Sequence, residues 1–564
     1  MKKDTPIGYS DFKKIMEENR YYVDKTALVS SVMKSGEVVL LCRPRRFGKS
    51  LNLSMLRYFF DKSQSYAPLF EGLAVQQDAD MMRHQGQYPV IMLTFKNARA
   101  NHFADALEDL CGTLRDEWRR HDYLAGNPEY DSQLAKMNAS LDSPGQLHAG
   151  VFVQSVRQLS ELLNKHFSAP TVVLIDEYDT PVQNGWLKGY YDDMVDFLRK
   201  LLGSALKDNP HLKKGVLTGI LRVSKESLFS DLNNFKASSG IVPDAFCDKF
   251  GFTETEVQAM LRHYDLNGRE MADINSWYNG YRFGGTTIFN PWSIINFVDS
   301  EDRVLRPYWV NTSGNELLKR LFFAKSNDIR PLLERLVRSE KITVRLSEHL
   351  VFKELEENEI AVLNLLYFSG YLRAENPQPE GDFTTFDLSI PNREIRSAYQ
   401  ETVLSWLRSD LRDDLKDPML NALLTGDVLT FEEFLSDFVV RVFSFYDAEK
   451  NRPEHFYHAF LLGLLVRLDV RYRIRSNIES GFGRYDICLI PRDAAQKGVV
   501  MEIKAPNLRR NETLEQALEE AEKQVFRQKY ATELADLGVT DVLHLAIAVC
   551  GKEVRVKEAV PPVG

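Results

Sequence analysis

Two stretches of this sequence carry residue types that handle phosphate. Near the start, Arg43-Pro44-Arg45-Arg46-Phe47-Gly48-Lys49-Ser50 ends in the glycine, lysine and serine of a triphosphate-binding loop. In such a loop the backbone N–H groups and the positive end of a helix surround the phosphates, Lys49 reaches the terminal ones, and the Ser50 hydroxyl coordinates Mg2+. Arg45, Arg46, Phe47 and Gly48 complete the stretch expected to bind ATP. The consensus places glycine where Arg43 stands, so the match is degenerate. Near the end, Asp486 and Glu502-Ile503-Lys504 supply two carboxylates and an ammonium, the groups that metal-assisted phosphodiester hydrolysis requires.

The elements that must position the first group are legible around it. Val38-Val39-Leu40-Leu41-Cys42 reads as a buried strand, and residues 51–60 repeat leucines and aromatics at helical spacing, so the loop joins strand to helix. A second buried run, Thr171-Val172-Val173-Leu174-Ile175, ends directly in Asp176-Glu177. Carboxylates at the carboxyl end of a parallel strand stand where open α/β sheets bind ligands. Asp176 is expected to hold Mg2+, and Glu177 to orient or deprotonate the attacking water, with Asp179 as an understudy. Residues 88–95 and 215–220 suit further strands of that sheet. Thr218, at the end of the latter, fits a polar sensor of the γ-phosphate, or equally a strand-capping threonine; Arg222 is a candidate alongside it.

With these motifs in place, the chain resembles the bacterial AAA-ATPase-like proteins fused to a PD-(D/E)XK nuclease-like domain. The resemblance rests on Tyr22-Val23-Asp24-Lys25-Thr26, the arginine-rich loop, Leu174-Ile175-Asp176-Glu177-Tyr178-Asp179 and Thr218-Gly219-Ile220-Leu221-Arg222-Val223-Ser224. Further matches are Leu232-Asn233-Asn234, Phe250-Gly251-Phe252-Thr253-Glu254, Trp277-Tyr278-Asn279-Gly280-Tyr281 and Asn290-Pro291-Trp292-Ser293. It implies ATP binding with hydrolysis, and in that family an arginine in place of the first loop glycine is usual.

The carboxy-terminal group stands partly on its own pattern. Residues 483–490 and 498–504 read as a hairpin, and strand alternation sets Glu502 and Lys504 on one face, where Asp486 of the neighbouring strand can meet them and bind Mg2+. Similarity to the nuclease superfamily adds Glu454, from a helix before the core, as a further metal ligand, and Gln524 from the helix 515–530. Arg467, Arg471, Arg473, Arg475, Arg484, Arg509 and Arg510 form either a local patch for DNA or RNA or a solvated strand face.

Composition frames these expectations. A chain of 564 residues exceeds what one core organises, and 44% hydrophobic with 27% charged residues describes an ordinary globular protein. The formal charge is -9, from Lys+Arg 71 against Asp+Glu 80, so no global field draws the chain to nucleic acid. Its 5 cysteines are odd in number and mostly embedded in apolar runs, which reads as reduced core residues in a cytoplasmic setting. Neither a signal-peptide core nor a membrane-spanning run is evident, so no membrane partner is expected.

The fold class expected is α/β: a P-loop NTPase parallel sheet with helices over 1–295, a helical and winged-helix-like region over 296–430, and a restriction-endonuclease-like α/β domain over 431–564. In the middle, residues 317–341 and 358–368 read as helices. Strand 371–374, a breaker-rich turn 376–381, strand 384–390 and a helix opening at 391 follow, the outline of a winged helix. Its few basic residues favour packing on the nucleotide domain over reading DNA. Two functions from different classes fit: an ATP-regulated nuclease, or an ATP-dependent switch or scaffold whose nuclease-like domain binds nucleic acid or protein without cutting. Whether the chain is a homo-oligomer that supplies an arginine to a neighbour's nucleotide, or uses Arg45 and Arg46 in cis, is open at this level, and a clamp on a neighbouring strand is an equal reading of those two arginines.

Overall fold

The computed structural model describes residues 2–142, 147–223, 235–266, 271–309, 340–348, 352–356, 358–381, 383–399, 413–443, 471–476, 487–506, 512–527, 537–550 and 553–560, with the single positions 228, 332, 335, 336, 461, 465 and 534. The chain divides into two compact units, residues 1–398 and 399–564. The region expected as a middle domain is thus split, and its helix and hairpin belong to the first unit.

That unit is built on a parallel five-stranded sheet. Its strands are β1 (Val38–Cys42), β2 (Val90–Thr94), β3 (Thr171–Asp176), β4 (Leu212–Gly219) and β5 (Phe235–Ser238), in the order β2-β3-β4-β1-β5. Every residue of β1 and β3 is buried, as expected of strands covered by helices on both faces. Each buried Val, Leu or Ile there contributes about 1.5–3 kcal/mol relative to exposure. Register brings the carboxyl ends together: Leu41 lies beside Thr218, Cys42 beside Gly219, and Asp176 beside Thr94. The helix Lys49–Phe60 follows β1 and buries Leu53, Met55, Leu56, Phe59 and Phe60. Gly48 caps it at φ +84°, a left-handed conformation that glycine reaches without a Cβ penalty.

Beyond the sheet, β6 (Tyr281–Phe283) and β7 (Thr286–Ile288) form a hairpin, and β8 (Ile342–Arg345), β9 (Arg373–Glu380) and β10 (Phe383–Ser389) form an antiparallel sheet in the order β8-β10-β9. The helix Glu359–Phe368 precedes β9, capped by the Asn358 side chain. The expected turn over 376–381 is largely strand. Pro377 and Pro379 sit on the edge strand, where a missing N–H costs no ladder bond. Asn376, at φ +51°, lies where the register shifts opposite Thr385 and Asp387. A helix over 393–399 follows. The expected helix over 317–341 falls almost entirely outside the described residues.

Glu394 fastens this part of the unit. Wholly buried, it accepts hydrogen bonds from the Ser293 hydroxyl at 2.8 Å and the Trp309 N–H at 2.6 Å. Burial pushes its carboxyl from 4.5 up to about 7, although both donors favour the charged form. A folded pKa above the unfolded one gives stability that is full below about pH 4.5 and lost as pH rises through about 7. Glu394→Gln keeps an acceptor and removes the titration. The urea midpoint of the wild type should therefore fall between pH 5 and 8 relative to the variant, by about 3 kcal/mol in stability. Parallel profiles for the two proteins would contradict this.

The second unit carries a mixed sheet of β11 (Tyr472–Ser476), β12 (Ile487–Pro491), β13 (Gly498–Lys504), β14 (Val542–Cys550) and β15 (Glu553–Glu558), ordered β11-β12-β13-β14-β15. Only β13 and β14 pair in parallel. On one face Val499, Met501 and Ile503 pack with Phe431, Leu435 and Val439 of the helix Val428–Phe443. Val500 turns to the other face with Cys488. Ala548 of β14 packs there with Leu514 and Ala517 of the helix Leu514–Arg527. None of the five cysteines forms a disulfide.

Candidate nucleotide and metal sites

At the carboxyl end of the parallel sheet the loop and the β3 carboxylates meet. The Ser50 hydroxyl donates to one oxygen of Asp176 at 2.5 Å, and the Thr218 hydroxyl donates to the other at 2.6 Å. Asp176 is thereby fixed between the loop and β4, with Thr218 as its second support. Lys49 is buried, its ammonium donating to the Arg43 and Pro44 carbonyls at 3.0 and 2.9 Å. Burial lowers its pKa, while the charges of Glu177, Asp176 and Asp179 act to raise it.

Glu177 adopts φ +51°, an uncommon conformation for a residue with a side chain. Its carboxylate accepts from the Thr180 hydroxyl at 3.1 Å and from Arg99 at 3.4 Å. Asp179 is no understudy for these carboxylates. Buried, it accepts from the Ile220 and Leu221 N–H groups, each at 2.9 Å, and from the Gln183 amide at 2.8 Å, holding the chain as it leaves β4. Gly219 makes this approach possible, since a Cβ there would stand 2.7 Å from the Asp179 carboxylate. Burial raises the pKa of Asp179 against those donors.

The arginine-rich loop divides its work. Arg43 turns toward β5 and bonds the Cys42 and Ser238 carbonyls, the Ser238 hydroxyl and the Phe246 carbonyl, over the rings of Phe250 and Phe283. It anchors β1 to β5, which is why a long side chain suits the position of the consensus glycine. Phe47 packs edge-on against Tyr281 and Phe283 and pins the loop to the β6–β7 hairpin. Arg46, at φ +69°, lies 4.1 Å from the ring centre of Trp292. A cleft of about 580 Å3 opens here, lined by Arg45, Gly48, Lys49, Ser50, Asp176 and Glu177 together with Tyr9, Tyr22 and Trp292. Its size and mixed lining suit a nucleotide. The donor set, one bound carboxylate flanked by two hydroxyls, fits a hard cation such as Mg2+.

The helix and hairpin after residue 340 rest on this loop. Gly370, at φ +86°, comes so close to Pro44 that a Cβ would stand 3.0 Å from the proline ring. Tyr367 donates to the Gly240 carbonyl at 3.2 Å, and Glu348 joins Arg222 at 2.6 Å and the Ser239 hydroxyl at 3.0 Å. Arg222 thus binds a carboxylate of this module.

In the second unit, alternation along β13 sets Glu502 and Lys504 on one face, and the Lys504 ammonium lies 3.4 Å from the Glu502 carboxylate. Glu502 is buried and Lys504 partly exposed. Their register partners on β14 are Ala546 and Ala548. Asp486 directly precedes β12, whose Ile487 pairs with Met501. Asp486 and Glu454 lie outside the described residues, as do Arg467, Arg484, Arg509 and Arg510. Gln524 sits in the helix Leu514–Arg527, where its amide donates to Glu520 one turn back at 3.3 Å. Arg471 and Arg473 are exposed.

Sequence reasoning passed over Arg99 and gave no role to Trp292. Nothing near Arg99 in the chain marks it, because its partner is 78 residues away. For Trp292 a local sign existed: the Asn290 side chain caps the helix Pro291–Asp299 by accepting from the Trp292 N–H at 2.9 Å.

No helix among the described residues is long and apolar enough to cross a membrane. Residues 6–229 match the family model of a predicted AAA-ATPase, and residues 452–559 match the PD-(D/E)XK nuclease superfamily. A relative named "Uncharacterized protein in vnfD 5'region" of Azotobacter chroococcum mcd 1 is 27% identical over 485 residues, covering 83% of this chain and 85% of its own. Among solved structures, the Aeropyrum pernix ORC2 protein in ADPNP-ADP complexes is 10% identical, with 67% of this chain and 93% of that one covered at a TM-score of 0.27. Drosophila ORC bound to AT-rich DNA and Cdc6 is 10% identical over 69% of this chain and 93% of that one, at a TM-score of 0.16. The loop and the β3 carboxylates therefore lie within the stretch that matches a predicted AAA-ATPase, and the Glu502–Lys504 pair within the stretch that matches the PD-(D/E)XK nuclease superfamily, the fusion that the sequence motifs resemble.

Proposed function

We propose that the chain binds and hydrolyses ATP with Mg2+, and that this turnover governs a metal-dependent cut in DNA or RNA made by the second unit. The observation that carries the first half is the grip on Asp176, one oxygen bonded to Ser50 and the other to Thr218. An aspartate so fixed meets Mg2+ without reorganising, which is what an effective phosphoryl-transfer site needs. Bound Mg2+ would neutralise charge on the phosphates. The remaining work falls to the chain: Lys49 steadies the terminal phosphates and Glu177 takes the proton of the attacking water.

For the second half, Asp486 and Glu502 would hold the metal, with Glu454 adding to it, and Lys504 would orient water or steady charge on phosphorus. Support comes from the placement of Lys504 beside Glu502 on one strand face. Coupling would run through the module resting on Pro44, since a change in the loop reaches the helix Glu359–Phe368 and its hairpin through Gly370. The winged-helix-like outline then serves packing.

Lys49→Ala tests the nucleotide half. It removes the buried ammonium that reaches the terminal phosphates, and ATP affinity measured by calorimetry should fall about 100-fold, as loss of a charge-assisted bond to phosphate predicts. Unchanged affinity would place the triphosphate elsewhere.

A further inference from the structure

Three arginines occupy the loop, and two of them are engaged by the protein. Arg43 is tied to β5 and to the Phe246 carbonyl, and Arg46 lies on Trp292. Arg45 differs. Half-buried, it lines the cleft beside Lys49 and Glu177, and among the described residues it makes no hydrogen bond or ion pair. Burial and the nearby charge of Arg99 disfavour its cationic form, while Glu177 and Asp179, two of the carboxylates that also act on Lys49, favour it. A planar guanidinium with five donors, partly desolvated in the lining of this cleft, is matched by few ligands as well as by a terminal phosphate.

We infer that Arg45 is the arginine that touches the γ-phosphate, supplied by the chain's own loop and not by a second copy. This rests on the reading of the cleft as an ATP site. The role of such a group is to stabilise charge as the terminal phosphoryl group leaves, and in related chemistry its loss costs orders of magnitude in turnover. A loop arginine acting in cis makes each chain self-sufficient, so hydrolysis needs no contact between protomers.

The test uses the full chain with Mg2+, measuring ATP and ADP affinity by calorimetry and phosphate release over a 100-fold range of protein concentration. Arg45→Ala should weaken ATP at least about tenfold, leave ADP within about twofold, and slow turnover at least about 100-fold. Arg45→Lys should recover only part, because a point charge lacks the fork. Wild-type turnover per chain should not change with dilution. An Arg45→Ala protein with the wild-type ratio of ATP to ADP affinity overturns the assignment alone. So does loss of ADP along with ATP, which would make the side chain a support of the loop, and so does a wild-type rate that falls on dilution. A wild-type chain that binds neither nucleotide overturns the ATP reading and the assignment with it.

Discussion

Glu177→Gln should bind ATP and Mg2+ as the wild type does and hydrolyse ATP about 1000-fold more slowly, within the range that loss of a general base produces. Glutamine has the same shape, and its carbonyl can still accept from the Thr180 hydroxyl, which bonds Glu177 at 3.1 Å. Asp176 keeps both of its hydroxyl donors, so the proposed metal ligand is untouched. Only proton acceptance and the pairing with Arg99 are lost. The backbone at φ +51° adds weight to a functional reading, because a residue with a side chain is held there at a cost of about 1–3 kcal/mol. Phosphate release and calorimetric ATP affinity on the same preparation decide the matter. A loss below tenfold would mean that another group accepts the proton, and a parallel loss of affinity would mean that Glu177 binds instead of reacts.

What the sequence makes legible follows from how far each partner is along the chain. The loop between β1 and its helix is a local object: an apolar run, Gly48 where φ is positive, and after it a helix with leucines and aromatics at helical spacing. The strand ending in Asp176 is similarly local, and so is the pairing of Glu502 with Lys504, which needs only the period of a strand. The turning of Arg43 toward β5 is different, since it depends on Ser238, 195 residues on. Asp179 looks in sequence like a third site carboxylate, and only the N–H groups of Ile220 and Leu221, arriving from β4, assign it to structure. The breaker-rich run from 376 to 381 obeys turn rules and is overruled because it lies on a sheet edge, a fact fixed by which strand pairs with which. Arg45 stands between these cases. Its position in the loop is plain from the sequence, yet that it makes no hydrogen bond or ion pair among the described residues appears only from the structure, beside the partners that engage Arg43 and Arg46.

Lys504→Ala should abolish cutting of DNA or RNA with Mg2+ or Mn2+, a loss of at least about 1000-fold, while the second unit keeps its fold. The side chain is partly exposed and its contact with Glu502 at 3.4 Å is an ion pair, so its removal takes little packing with it. Glu502 is buried, and without the ammonium its charge is less well balanced, which costs stability on the order of 1 kcal/mol and no more if a metal takes over that role. The same logic makes the metal dependence informative. In the wild type, Mg2+ should raise the unfolding temperature of the second unit by binding its carboxylates, and Glu502→Gln should remove that rise. A protein that gains stability from the metal yet leaves every DNA and RNA substrate intact, with and without ATP, would be a metal-binding scaffold. In that case Lys504→Ala would change nothing measurable in cutting, and the nuclease half of the proposal would fall while the ATP half stands on Lys49, Asp176 and Glu177.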